Sequence, residues 1–113
     1  MEILKHHIYL ANLNPSKGKE PGKVRPVAVV QTDLLNDFHP TVVICPVTSM
    51  VIEGVEVLRV RLKAKANGLD KESDILVDQI RSIDKVRIIE HIGKLTTLQI
   101  KILEEGVRVL LFQ

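Results

Sequence analysis

Arg25, Thr48 and Ser49 are the residues of this chain best suited to chemistry on a phosphodiester. Cleaving such a bond without a metal takes a neighbouring 2′-hydroxyl to attack phosphorus, a cation to stabilise the equatorial oxygens and a donor to assist the leaving oxygen. Arg25 can supply the charge, and Thr48 or Ser49 a short hydroxyl donor. Just before Arg25 runs a glycine-punctuated basic loop, in which Lys17, Lys19 and Lys23 face one acid, Glu20; with Arg25 the local balance is +3. A patch of that sign suits a phosphate backbone. A second cluster, Asp78-Gln79-Ile80-Arg81, joins a carboxylate and an amide that can read base edges to a guanidinium that can pair with phosphate.

Other groups invite less. Gly18 to Lys23 has three residues between its glycines and Val24 after the lysine, so it is not a phosphate-binding P-loop. Cys45 lies in an apolar run and reads as a buried side chain rather than a nucleophile. His6 and His7 are neighbours that point to opposite faces of a strand, and His39 and His91 are distant in sequence, so no metal site is expected. Asp74 and Asp78 could form an acid-base pair, although the solvated face of a strand would carry the same residues.

The elements that must hold these groups are short strands. Ile8 to Leu13 is the first, ended by Asn12, Asn14 and Pro15. Val24 to Gln31 follows, with Pro26 implying an edge or strand-entry position. Thr32 to Pro40 is a connection with room for one helical turn, capped by Thr32 or Asp33. Thr41 to Val47 is the third strand, and Pro46 is expected to end its regular pairing. The pattern from Val55 to Leu62 slips by one residue, which a bulge near Val57 would repair. Asn67-Gly68 marks a turn. Ser73 to Ile80 reads as a strand with Asp74 and Asp78 on one face, and Asp84 can start a short turn. Val86 to Leu95 fits a helical stripe but is rich in β-branched residues, which favours a strand. Thr96-Thr97-Leu98-Gln99 matches a capping box opening a terminal helix of about residues 97–110, with Leu98, Ile102, Val107 and Leu110 along one side. Five or six strands and one long helix pack as a small barrel plugged by that helix.

With 113 residues, 45% of them hydrophobic, the chain fits a single domain spanning residues 1–113 without metal or disulfide support. The net charge of +2 directs attention to where the cations sit rather than to bulk charge. One cysteine excludes an internal disulfide and favours an intracellular protein. No apolar run approaches the roughly 18 residues that span a bilayer, so a cytoplasmic location is expected. Only Tyr9, Phe38 and Phe112 are aromatic, too few for an RNA-binding sheet built on stacked rings.

Together, Leu13-Asn14-Pro15, Gly18-Lys19-Glu20, Arg25-Pro26-Val27, Cys45-Pro46-Val47-Thr48-Ser49, Val77 to Asp84 and Ile92-Gly93-Lys94-Leu95 resemble the MazF/PemK family of mRNA interferase toxins. The similarity runs from about Ile8 to Leu111. It implies a mainly β SH3-like barrel of about six or seven strands with a C-terminal helix, forming a homodimer. It further implies sequence-specific, cofactor- and metal-independent cleavage of single-stranded RNA, leaving a 2′,3′-cyclic phosphate and a 5′-hydroxyl. By this resemblance the catalytic arginine falls on Arg25 and the catalytic threonine on Thr48. Glu20 falls in the substrate loop with Lys17 and Lys19, and Ser49, Asp78, Gln79 and Arg81 are RNA-binding candidates. A MazE-like antitoxin, whose C-terminal tail lies across the groove, is the implied partner; DNA and membranes are not expected ligands.

Two departures stand out. Relatives usually enter the first strand through a Gly-Asp or Gly-Glu turn, where this chain has His6-His7. Some relatives carry a catalytic arginine two residues before the Asp78 position, where this chain has Leu76. Two other readings compete: a catalytically silent RNA-binding barrel, and a gyrase poison of the CcdB type. The latter acts through a C-terminal tryptophan, and this chain has no tryptophan.

Overall fold

The β-branched stretches are strands in the computed structural model, which describes residues 1–15, 18–19, 23–54 and 58–113. β1 (His7–Asn12), β2 (Val24–Val29), β3 (Thr41–Thr48), β4 (Arg59–Leu62), β5 (Ser73–Leu76), β6 (Arg81–Asp84) and β7 (Ile88–Lys94) form one seven-stranded sheet. Its order is β4-β5-β3-β2-β1-β7, with β6 also on β3, and every pairing is antiparallel. Among the described residues the end strands β4 and β7 do not pair, so the barrel-like sheet is open. Of Val86 to Leu95, where β-branched residues favoured a strand over a helical stripe, Ile88–Lys94 is strand β7 and Val86 and Arg87 lie in the 3-10 turn before it.

Alternation along the strands sorts side chains into two cores. Ile8, Ala28, Cys45, Val47 and Ile75 belong to one, and Tyr9, Ala11, Val27, Val29, Val42 and Ile44 to the other. Local chemistry sets the ends of the helices. The Thr32 hydroxyl caps α1 (Asp33–Asn36) by accepting from the Leu34 amide, and Asp84 caps a short 3-10 turn, Lys85–Arg87, by accepting from Val86. The capping box of α2 (Thr97–Phe112) is complete, with Thr96 accepting from the Gln99 amide and the Gln99 side chain accepting from the Thr96 amide.

Four expectations are corrected. Ser73 to Ile80 is not one strand: β5 stops at Leu76 and Val77–Gln79 is a 3-10 turn. Asp74 is therefore not on a solvated face with Asp78; it is buried at 1% exposure, whereas Asp78 is exposed. Pro46 does not end β3. That strand pairs with β6 as far as Ile44 and with β5 from Val47, and Pro46 stands in the gap between these ladders, where no partner on that flank needs an N–H. Pro26, by contrast, keeps the strand-entry position expected of it, since β3 pairs β2 only from Val27 onward.

The helix face is the fourth. α2 buries Gln99, Leu103 and Gly106, while Leu98, Ile102 and Leu110 are exposed. The reason is a polar contact at its first turn: Gln99 bonds Asn67 and the Arg61 carbonyl, rotating its own side of the helix onto the sheet. The helix runs through Gly106 without a break. The bulge expected near Val57 lies outside the described residues.

Candidate active site

Arg25 and Thr48 are carried by the adjacent strands β2 and β3. Val27 of β2 pairs with Pro46 of β3 as the last pair of that ladder, and Arg25 and Thr48 each lie two residues beyond it on their own strands. Because side chains alternate, both then fall on the sheet face of Val27 and Pro46. Both residues, with Ser49 and Met50, line an open cavity of about 890 Å³ that is also lined by Asp70, Lys71, Glu90 and His91. Arg25 and Thr48 are half-buried and Ser49 is exposed, so the chemistry-bearing groups meet solvent.

β1 fixes Arg25 from its other side through the pair Ala11 and Arg25. The basic loop leaves and rejoins the sheet at a tight neck: the Leu13 amide donates to the Lys23 carbonyl at 2.8 Å, and the Lys23 amide to Asn14 Oδ1 at 2.7 Å. Arg87 donates to the Asn12 carbonyl at 3.0 Å and also to that of Asn14. Lys19 is exposed on a turn beyond this neck, and Lys17 and Glu20 lie outside the described residues.

Thr48 is held by the turn that follows it, whose Met50 amide donates to Thr48 Oγ1 at 3.1 Å. Asp78 and Gln79 fall on the 3-10 turn after β5, and Arg81 opens β6 opposite Ile44. None of the three lines the cavity of Arg25 and Thr48, so the second sequence cluster marks a separate stretch of surface. Cys45 is fully buried, and burial together with the Asp78 charge pushes its thiol up to about 12, which keeps it protonated and unreactive.

Two constellations escaped the sequence. Pairing of β1 with β7 sets His91 against Tyr9, its ring edge-on, and the His7 side chain reaches it diagonally, with Nδ1 and Nε2 at 2.9 Å. Sequence distance concealed this pair. Among the described residues no three His, Cys, Asp or Glu side chains group as metal ligands. The second is Asp74, which accepts from Arg61 Nε at 2.6 Å and from Arg59 Nη1 at 3.3 Å. Its signal was available: arginines at alternate positions of a strand, around a buried Val60, call for a carboxylate on the neighbouring strand.

An open antiparallel sheet with one C-terminal helix, setting an arginine and a threonine of adjoining strands in one surface cleft, defines a small, mainly β protein. The sequence matches the family described as PemK-like, MazF-like toxin of type II toxin-antitoxin systems over residues 5–111, and the chain belongs to that family. It is 34% identical over 109 residues to Endoribonuclease EndoA of Bacillus subtilis, covering 96% of this chain and 94% of that protein. Its fold is that of MazF from Deinococcus radiodurans, with a TM-score of 0.85 at 24% identity, over 100% of this chain and 99% of the other. The toxin in a MazE-MazF crystal structure from the same organism matches at 25% identity, with a TM-score of 0.78, over 98% and 96% of the two chains. No helix among the described residues is long and apolar enough to cross a membrane.

Proposed function

We propose that this toxin is an endoribonuclease that cuts single-stranded RNA at specific sequences without a metal. The observation that carries the reading is that Arg25 of β2 and Thr48 of β3, both just beyond the Val27 and Pro46 pair, line one solvent-open cavity of a PemK/MazF chain. In the proposed reaction the 2′-oxygen of the substrate attacks the adjacent phosphorus, forming the 2′,3′-cyclic phosphate as the bond from phosphorus to the 5′-oxygen breaks. The 2′-hydroxyl proton passes to water, and the leaving 5′-oxygen takes a proton back from water to end as a hydroxyl. Arg25 holds the negative charge that grows on the equatorial oxygens, a role suited to a planar, permanently charged donor fork. Thr48 Oγ1, engaged as an acceptor by the Met50 amide, keeps its own proton to donate to a phosphate oxygen.

In this reading Lys17, Lys19 and Glu20 belong to the loop that guides RNA into the cavity, Ser49 lies at its rim, and Asp78, Gln79 and Arg81 contact nucleotides farther along the strand. The protein acts in the cytoplasm as a homodimer, for which the apolar residues that α2 leaves exposed, among them Ile102, Leu111 and Phe112, offer a surface. An antitoxin of the MazE kind restrains it, as the named complex of the Deinococcus relative suggests.

The test is incubation with a long single-stranded RNA and its DNA counterpart in the presence of chelator, with Arg25→Ala in parallel. Discrete RNA cuts with cyclic phosphate ends, absent on DNA and with the variant, are expected, because DNA lacks the attacking hydroxyl. RNA that is bound but intact would favour a silent binding barrel, and uncut, unbound RNA would redirect the search to a protein target.

A further inference from the structure

Asp74 is a carboxylate at 1% exposure in the middle of β5, opposite Thr48 of β3 on one side and Arg61 of β4 on the other. A buried carboxylate is costly unless it is paired and hydrogen-bonded. Both of its oxygens are engaged: Oδ1 accepts from Arg61 Nε at 2.6 Å and Oδ2 from Arg59 Nη1 at 3.3 Å. The same Arg59 Nη1 also donates to the Met50 carbonyl at 2.9 Å, and the Met50 amide donates to Thr48 Oγ1 at 3.1 Å. A continuous chain of hydrogen bonds therefore runs from the buried carboxylate, through Arg59 and the Met50 peptides, to the Thr48 hydroxyl. Arg61 adds a second tie to the same turn by pairing with Glu53 at 3.2 Å. That second contact is weak, because Glu53 is largely exposed.

We propose that Asp74 and Arg59 are positioning residues that hold the turn after β3 so that the Thr48 hydroxyl keeps its place beside Arg25. The inference rests on the reading of Thr48 as catalytic and deepens it. Arg59 is only a fifth exposed along its side chain, and its Nη1 is shared between Asp74 and the Met50 carbonyl, which ties the guanidinium to the turn. Asp74 supplies the fixed counter-charge that keeps Arg59 from swinging out to solvent.

Arg59→Met is the decisive variant, since it keeps most of the aliphatic stem, removes the link to Met50, and leaves Asp74 paired with Arg61. RNA cleavage and amide hydrogen exchange are measured together. The expected result is a fall in kcat of between about tenfold and a hundredfold with KM little changed, as a misplaced catalytic group produces. Exchange at Met50 should rise while Val60 and Ile75 stay protected, and Arg59→Lys should restore part of both. Unchanged kcat, unchanged Met50 exchange, or a rise in KM alone would overturn the proposal, the last by making Arg59 an RNA contact. Should the unaltered protein leave RNA intact, the catalytic role of Thr48 falls and the positioning for catalysis with it. The exchange result then judges the hydrogen-bond chain by itself.

Discussion

Asn67 and Gln99 exchange two hydrogen bonds across 32 residues of sequence, Asn67 Nδ2 to Gln99 Oε1 at 2.8 Å and Gln99 Nε2 to Asn67 Oδ1 at 2.9 Å. Around them Asn67 accepts from the Lys63 amide and donates to the Lys94 carbonyl, while Gln99 accepts from the Thr96 amide and donates to the Arg61 carbonyl. One pair of buried amides thus joins β4, the turn after it, β7 and the start of α2. Replacing Gln99 with Leu leaves Asn67 buried with unmet hydrogen bonds and should destabilise the protein by about 2 kcal/mol in urea unfolding. Combined with Asn67→Ala, the loss should fall short of the sum of the two single losses; strict additivity would deny the coupling.

Next to that pair the backbone leaves no room. Gly68 has φ of +80°, and a Cβ placed there would lie 2.3 Å from the Ile92 carbonyl oxygen. Gly93 on β7 is equally tight against the Asn67 carbonyl. Gly68→Ala should cost about 2 to 4 kcal/mol, from the left-handed conformation and the clash together. A variant as stable as the parent would show that the turn and β7 can separate freely.

Acid should weaken the fold through its histidines. Burial lowers the pKa of His7 first, His91 and Lys94 lower it further, and Asp33 and Glu2 oppose. His6 is shifted the same way, by burial and then Lys5, against Glu104 and Asp33. The folded state then binds fewer protons than the unfolded chain, whose histidines titrate near about 6.5. Their contribution is complete above that value and is lost as the pH falls through it toward the lower folded values. The urea midpoint should drop between about pH 8 and about pH 5.5, and His7→Gln should flatten the slope. A midpoint that rose on acidification would contradict this sign.

Arg25→Lys separates geometry from charge at the candidate site. Lysine keeps the charge but lacks the planar fork, so kcat for RNA should fall by about a hundredfold or more, with stability within about 0.5 kcal/mol of the parent. Near-normal turnover with lysine would mean that position 25 needs only a positive charge.

Elements whose causes lie within a few neighbouring residues were legible in the sequence. The Thr96 and Gln99 capping box, the Thr32 and Asp84 caps, the Asn67-Gly68 turn and the buried Cys45 depend on local hydrogen bonds, backbone preference and an apolar run. The family motifs likewise single out Arg25 and Thr48, which the structure sets in one cavity. Only the tertiary structure decided that Asp74 is buried between Thr48 and two arginines, that His7 meets His91, and that β3 changes partners at Pro46. It also turned α2 onto Gln99 and Leu103 rather than onto Leu98 and Ile102. Each of these depends on which strand lies alongside, and in what register. Such partners are joined through chain folded elsewhere, and the pattern of one strand carries no record of the residue that the next will set against it.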